Sequence, residues 1–278
     1  NTDMSLTAGN INIVGTYTLH GKNISHGTSA TASSGSIEIF PSGTYSGAGN
    51  LQATAGSVTV TGSNTVTPTG TIQAGNGVNL SGTVVTTSTS ITASGSGGIQ
   101  ATSTSGDVTI GGALVANSAT TGRVIVKASQ HVYLNANLTT NGGAAVLWSR
   151  SGATQNTNSQ SGAGAITVAN AVAIASNGGA IVMAGSSSKD ANDLPNGHAF
   201  ANTDGAPFPI SLGTLSSGNA VSLNSGGGDI RIYGQAGASG RQAWASQNTS
   251  SSALNVNSGS GRQDINLIGQ GTTDNVFE

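Results

Sequence analysis

The sequence has no cysteine, few charged residues, few aromatic residues and no long apolar run. The absence of cysteine excludes disulfide bonds and thiolate metal sites. Charged residues make up 6% of the 278 residues, and the net charge of -2 favours neither nucleic acid nor an anionic membrane surface as a partner. Because no run of about 18 apolar residues occurs, the sequence predicts no membrane-spanning helix.

The composition also argues against helices and against disorder. The 43 glycines and many β-branched residues disfavour helix. Leu, Ile, Val and Phe make up roughly a fifth of the chain, which is close to the composition of disordered proteins. The high net charge that accompanies disorder is missing, however. Short apolar alternations between polar stretches therefore predict an all-β structure with a thin core.

A repeat of 21 residues organises the first half of the chain. Glycine recurs at Gly35, Gly56, Gly77 and Gly98, and each is followed by a short alternating stretch such as Ile37–Ile39. A fixed period of this size is typical of a stacked solenoid. We expect these glycines at the corners of successive coils, where freedom to adopt positive φ is useful. The period resumes with the glycines at positions 122, 143 and 164.

The interval after Gly164 contains three apolar stretches, Ile166–Val168, Val172–Ile174 and Ile181–Met183. Three stretches in one coil predict three sheets and a roughly triangular cross-section of about 21 residues per coil. We interpret residues 1–278 as a single solenoid domain and as a segment of a larger or processed protein. Polar or proline-containing stretches predict protruding loops at three places, namely residues 149–162, 185–209 and 235–252.

Stretches such as Ala55-Gly-Ser-Val-Thr-Val60 and Ser105-Gly-Asp-Val-Thr-Ile110 resemble the repeats of filamentous haemagglutinin-like adhesins, which are exported by two-partner secretion. The resemblance implies a right-handed parallel β-helix at the bacterial cell surface, acting in attachment, aggregation or biofilm formation. The secretion domain of that family carries an Asn-Pro-Asn type motif, and no Asn-Pro pair occurs in this sequence. The resemblance therefore implies the shaft or tip region of such an adhesin.

Carboxylates raise two alternatives to a purely structural role. Asp107, Asp229 and Asp264 each precede a strand-like stretch, and paired carboxylates on a β-helix face perform acid/base chemistry in polysaccharide lyases and hydrolases. Asp190 and Asp193, with Asp204, offer oxygen ligands for calcium, although their spacing matches no calcium loop. We favour turn-to-strand junctions for the first set, and we predict no catalytic residue, no metal site and no cofactor.

Rare aromatic residues lie beside the three irregular stretches, together with arginine and histidine. Aromatic faces and guanidinium groups suit contacts with glycans or proteins, but they also suit cover over a thin core. The predicted ligand-binding residues are Trp148, Arg150, His198, Phe200, Phe208, Arg241 and Trp244.

These observations favour a non-catalytic extracellular adhesin or structural filament protein. Its expected partners are a glycan or protein on a host or neighbouring cell, or further copies of the chain in a fibre. The alternative is a carbohydrate-binding or carbohydrate-active β-helix protein, either a lyase or hydrolase or a phage-type receptor-binding spike.

Overall fold

The computed structural model describes residues 2–7, 9–118, 122–152, 164–201, 208–213, 221–236, 244–246 and 254–268. These ranges contain strands and no helix. The strands are β1 (Met4–Leu6), β2 (Asn10–Ile13), β3 (Tyr17–Gly21), β4 (Ile24–His26), β5 (Ser29–Ala32), β6 (Ile37–Pro41), β7 (Tyr45–Gly47), β8 (Leu51–Ala53), β9 (Val58–Thr61), β10 (Val66–Pro68), β11 (Ile72–Ala74), β12 (Gly77–Gly82), β13 (Val85–Thr87), β14 (Ile91–Ala93), β15 (Gly98–Ser103), β16 (Val108–Ile110), β17 (Leu114–Ala116), β18 (Val124–Lys127), β19 (Val132–Leu134), β20 (Leu138–Thr140), β21 (Ala145–Ser149), β22 (Ile166–Val168), β23 (Ala173–Ala175), β24 (Ile181–Lys189), β25 (Pro195–Gly197), β26 (Ala199–Ala201), β27 (Ile210–Leu212), β28 (Ser222–Asn224), β29 (Ile230–Ala236), β30 (Trp244–Ser246), β31 (Asn255–Asn257) and β32 (Gln263–Ile268).

The strands form three parallel sheets, because every third strand returns to the same sheet. Sheet 1 runs from β1 through β4 and β7 to β22, β27 and β30; sheet 2 runs from β2 through β5 and β8 to β23, β28 and β31. Sheet 3 runs from β3 through β6 and β9 to β24, β29 and β32, and β25 and β26 join it as additional strands. This arrangement confirms the predicted all-β parallel β-helix.

Coil length changes along the chain. In sheet 1, Ile24 pairs with Tyr45 and Tyr45 with Val66, which is 21 positions each time. Later in the same sheet, Val132 pairs with Ile166, 34 positions away, and Ile166 with Ile210, 44 positions away. The described residues therefore form ten coils, fewer than a uniform 21-residue period would allow, because the later coils contain insertions.

Within each strand, inward-facing and outward-facing residues alternate, and the inward-facing residues of all three sheets form the inner apolar core. In β6, Ile37 and Ile39 are fully buried and Glu38 between them points outward. The inward positions stack from coil to coil, as Ile37 on Val58 and Val58 on Val78 show. Each such side chain contributes about 1.5–3 kcal/mol by burial. The three-residue stretches of the sequence are therefore strands with one wet face and one buried face.

A column of glycines forms one corner of the β-helix. A Cβ atom on Gly56 would lie closer than 3.0 Å to the carbonyl oxygen of Gly35, and one on Gly143 would meet Gly122 in the same way. The same collision recurs at positions 179, 228 and 261. The expected reason for the repeat, positive φ, applies to Gly98 (φ 62°) but not to the rest of this column. Close approach between successive coils is what requires glycine there.

Side-chain oxygens at the corners also link successive coils. The Asn23 Oδ1 atom accepts a hydrogen bond from the Thr44 N–H at 3.0 Å, and the Asn50 Oδ1 atom accepts one from the Thr71 N–H at 2.9 Å. The same link joins three further pairs, namely Ser36 with Ser57, Asn76 with Gly97 and Asn137 with Ala173. These bonds satisfy backbone donors that the strands leave unpaired at corners.

The structure describes a part of each predicted loop, and in residues 185–201 it shows strands. Residues 185–201 contain a β-hairpin, because β24 continues outward to Lys189 and returns as the antiparallel β25, and they contain β26, which pairs with β29. Proline is accommodated because Pro195 begins the short added strand β25, outside the continuous wall. In the first predicted loop, only residues 149–152 are described, and in the third, only residues 235–236 and 244–246.

Candidate functional site

The hairpin formed by residues 185–197 is held in shape by its own turn. The Asp190 Oδ1 atom accepts hydrogen bonds from the N–H groups of Asn192 at 2.9 Å and Leu194 at 3.0 Å. Asp193 adopts φ 64°, a left-handed conformation that aspartate tolerates better than most residues, and it pairs with Lys189 at 2.6 Å. The Lys-Asp-Ala-Asn-Asp-Leu stretch is thus a defined turn.

Trp148 lies beneath this hairpin, on the outer face of sheet 3. Its Nε1–H donates a hydrogen bond to the Ser186 carbonyl oxygen at 2.6 Å, and its side chain is 4% exposed. The ammonium groups of Lys127 and Lys189 lie 4.6 and 5.3 Å from its ring centroid, within cation–π range. A second apolar cluster surrounds it, separate from the inner core and made of Val146, Val182, Ala184 and Leu194.

Arg231 joins the hairpin to the coils. Its guanidinium pairs with the Asp190 Oδ2 atom at 2.5 Å and with the Asp229 Oδ2 atom at 3.5 Å. Desolvation alone would raise the pKa of Asp190, but hydrogen bonds from the Leu194 N–H and from Arg231 outweigh it and lower that pKa. A backbone hydrogen bond from the Arg262 N–H, followed by Arg231, lowers the pKa of Asp229. Both carboxylates therefore favour the charged state in the folded chain.

Two other predicted site residues pack together at the return of the hairpin. The Arg150 guanidinium carbon lies 5.0 Å from the ring centroid of Phe200, and the two side chains are 7% and 1% exposed. Burial lowers the pKa of Arg150. Phe200 also forms backbone hydrogen bonds in both directions with Gly164, in an antiparallel bridge. Gly164 is required there because a Cβ would collide with the Arg150 side chain.

The remaining predicted binding residues lie apart from one another. The His198 ring lies 5.8 Å from the ring of Tyr233, and burial lowers the pKa of His198. Phe208 is half-buried just before β27, and Trp244 in β30 pairs through its backbone with Ile210; both lie at sheet 1 rather than sheet 3. Arg241 lies outside the described residues. The structure therefore gathers Trp148, Arg150, His198 and Phe200 around sheet 3, where Trp148, Arg150 and Phe200 are buried, and ligand binding at these positions stays a prediction.

The three carboxylates that raised the possibility of catalysis each bond to an adjacent coil. The Asp107 Oδ1 atom accepts from the His131 N–H at 2.9 Å. Asp229 accepts from the Arg262 N–H at 3.0 Å, and Asp264 accepts from the Tyr233 hydroxyl at 2.9 Å. Asp107 and Asp229 thus lie at turn-to-strand junctions, the role that we favoured from the sequence, whereas Asp264 lies within β32 and bonds to a side chain across the sheet.

The possible calcium ligands are also engaged with protein groups. Asp190 pairs with Arg231 and Asp193 with Lys189, while Asp204 lies outside the described residues. Across the part of the chain that the structure describes, no group of three or more histidine, aspartate or glutamate side chains is placed to hold a metal ion.

An open cleft of about 380 Å³ lies between the tip of the hairpin and the glycine corner of sheet 3. Its polar lining includes Arg123, Asn192, Asp229 and Arg231, and its floor includes Gly143. Sequence reasoning did not single out Arg123 or Asn192, which are 69 positions apart and meet only because the hairpin folds back over the coils. The distribution of charge along the sequence could have indicated the late coils as the place of the site, since six of the eight Lys and Arg residues follow Arg123.

The chain matches no family model, and no curated protein or solved structure is significantly similar to it. The described residues contain no helix long and apolar enough to cross a membrane.

Proposed function

We propose that this chain is a non-catalytic structural and adhesive rod, part of a bacterial cell-surface adhesin or extracellular filament that mediates attachment, aggregation or biofilm formation. One observation carries the proposal: the outward positions of successive strands in sheet 1 form a row of small hydroxyl side chains. The register aligns Ser25, Ser46, Thr67, Thr86 and Thr109 one per coil.

A row of this kind suits a repetitive partner. Neighbouring strands lie about 4.8 Å apart, so the hydroxyls offer equally spaced donors and acceptors along the rod. No charged residue occurs between Glu38 and Asp107, so this surface does not repel a neutral glycan or another copy of the chain. Many weak contacts on one rigid support add up to firm attachment.

The rod itself is rigid for reasons that do not depend on a ligand. Each coil is joined to the next by backbone ladders in three sheets, by the close glycine corner and by side-chain links. Such a chain transmits force along its axis better than a molecule held by a few loops. That property fits a filament or adhesin shaft.

A carbohydrate-binding protein, including a phage-type spike, is the second candidate. The cleft beside the hairpin favours it, because guanidinium, carboxylate and amide groups converge on one concave surface. A carbohydrate-active enzyme would further need two carboxylates about 5–10 Å apart and free to exchange protons. A spike would be a trimer in solution.

The test is display of the chain on beads, with measurement of bead aggregation and of adhesion to cells and to a glycan array. The informative variant places lysine at Thr67, Thr86 and Thr109, which charges the row on sheet 1. The matched control places lysine at Gln52, Gln73 and Thr92, which are aligned in the same way on sheet 2.

We expect the sheet 1 variant to lose most adhesion or aggregation and the control to retain it. Equal behaviour of the two variants would contradict a role for the hydroxyl row. Beads that neither aggregate nor adhere, or a chain that cleaves polysaccharide, would contradict the proposed function as a whole.

A further inference from the structure

The cleft between the hairpin tip and the glycine corner contains the guanidinium of Arg123, which the charge of Asp193 influences at longer range without forming an ion pair. Arg123 is exposed immediately before β18, and its Nη1 atom donates a hydrogen bond to the Asn192 carbonyl oxygen at 3.3 Å. Among the described residues Arg123 forms no ion pair, whereas Arg231 pairs with two carboxylates and Lys189 with one. The Arg123 guanidinium therefore has donors left for an anion.

The other polar groups of the cleft suit hydroxyls rather than a second anion. Asp229 is one-third exposed; its Oδ1 atom accepts from the Arg262 N–H and its Oδ2 atom pairs with Arg231 at 3.5 Å, and each oxygen has a further lone pair for a hydroxyl. The side chain of Asn192 is exposed at the turn of the hairpin and offers both a donor and an acceptor. These two groups lie in the same cleft as Arg123.

The walls and floor of the cleft are already in place. The hairpin turn is fixed by the bonds to Asp190 and by the pair between Asp190 and Arg231. The floor includes the backbone of Gly143 and Gly179, which the close approach of successive coils at the glycine corner holds in place. Ligand binding would therefore require little ordering of the protein, and the entropic cost of binding would be small.

We propose that this cleft binds a carboxylate-bearing saccharide residue of the hexuronate type, with its carboxylate on Arg123 and its hydroxyls on Asp229 and Asn192. Arg231 is already paired with Asp190 and Asp229, so Arg123 supplies the cation for the ligand, and one guanidinium matches the single charge of a carboxylate better than a phosphate dianion. The volume of about 380 Å³ fits one sugar ring with its substituents. The inference rests on the proposed function, because it names the glycan class that an adhesive rod would recognise.

The test is a titration of the full chain with sodium glucuronate, followed by nuclear magnetic resonance of labelled backbone amides. Methyl glucoside is the neutral control ligand, and glucose 6-sulfate is the control for a different anion. The informative variant is Arg123→Gln, which removes an exposed charge without opening the core. The matched control variant is Lys22→Gln, which removes an exposed charge far along the rod from the cleft.

We expect saturable shifts at Arg123, Asn192 and Gly143 with glucuronate, weaker binding at high salt, and no saturation with methyl glucoside. Arg123→Gln should weaken binding about tenfold or more, as expected for loss of a charge-assisted hydrogen bond, while Lys22→Gln binds like the original chain. Asp229→Asn should weaken it less. Absence of saturable shifts, equal binding by Arg123→Gln, or stronger binding of glucose 6-sulfate would overturn the proposal.

The bead assay separates this inference from the proposed function. If the Arg123→Gln chain still adheres and aggregates while glucuronate does not bind, the cleft proposal fails and the adhesive rod remains. If glucuronate binds through Arg123 but the beads neither adhere nor aggregate, the cleft stands and the adhesive rod fails.

Discussion

The outer face of sheet 3 differs between the early and late coils. In the early coils its central outward row is polar, with Glu38, Thr59, Asn79 and Gln100 in register. In the late coils the same row continues as apolar Ile125, Val146 and Val182 before it reaches Arg231. An early coil needs no cover, whereas a late coil needs an element that shields its apolar exterior from water.

The hairpin is that element. It places Leu194 and the backbone of Ser186 over the late part of sheet 3, and it brings its own charges, which pair with Arg231 on the coils. The difference between the two regions indicates that outward-facing apolar residues in a solenoid mark the place where an inserted segment packs against the sheet. The late coils thereby gain a concave site lined by charged groups, whereas the concave surface of the early coils, beside Gln52, Gln73 and Thr92, is lined by uncharged residues.

The glycine corner is the feature that the two regions share, and changing it should have the largest effect. Gly56→Val in an early coil and Gly179→Val in a late coil each force a side chain into the preceding coil's carbonyl. We expect each to lower the free energy of unfolding by about 3 kcal/mol or more. Urea denaturation followed by circular dichroism measures this. Gly15→Ala is the control, because nothing lies within 4 Å of its Cβ position, and a similar loss there would contradict the steric explanation.

Trp148→Ala should separate the two regions, because Trp148 belongs to the late coils alone. Loss of its ring and of the bond to Ser186 should cost about 3 kcal/mol locally and release the hairpin. Hydrogen exchange should speed up over residues 185–197 and stay unchanged in β6 to β15. Thr102→Ala is the matched control, since Thr102 pairs with Lys127 and Lys127 with Trp148 along the same outward row. Uniform loss of protection along the rod would contradict a local role.

Acid should loosen the late region first. The pKa values of Asp190 and Asp229 are lowered in the folded chain, so the stability that they contribute is present above the unfolded value of about 3.9 and is lost as the pH falls through the lower folded values. We expect protection of the hairpin amides to fall below about pH 4 while the early coils stay protected. Asp190→Asn should remove most of this pH dependence. An unchanged profile in that variant would exclude Asp190 as its source.

His26 should produce the smallest effect, in the early region. It is fully buried beside Tyr17, and neither ring nitrogen has a hydrogen-bond partner among the described residues. Burial lowers its pKa, so the unfolded chain binds the proton more readily, and stability should decline as the pH falls below about 6.5. His26→Leu should be neutral or stabilising by up to about 1 kcal/mol. Melting temperatures at pH 7.5 and 5 test this, and a steeper pH dependence in the variant would count against it.

Much of the fold was predictable because the repeat is local. The alternating stretches that begin at Ile37 and Val58 were recognised as strands, and three such stretches per coil predicted three sheets. The glycine period was also visible, but its cause was not. Close approach of Gly56 to Gly35 depends on how coils stack, and positive φ was the wrong reason for most of these glycines.

The candidate site was only partly predictable. Rare aromatic residues correctly marked the irregular region, since Trp148 and Phe200 both pack at the hairpin. The sequence predicts a loop where the hairpin forms, because residues 186–197 are mostly polar and contain no alternating apolar stretch. Arg123 and Asn192 could not be paired from sequence, because their separation has no period and depends on the direction in which the hairpin folds.

The sequence by itself determined the all-β class, the parallel stacking and the thin apolar core, since period and alternation act between neighbours in the chain or in adjacent coils. Only the tertiary structure decided that Trp148 is covered, that Asp190 meets Arg231, and that a cleft opens beside Arg123. Those contacts join residues that are tens of positions apart and separated by an insertion. The repeat does not determine against which part of the sheets an inserted segment packs. Its position is set by the apolar surface that it buries and by the charges that it neutralises.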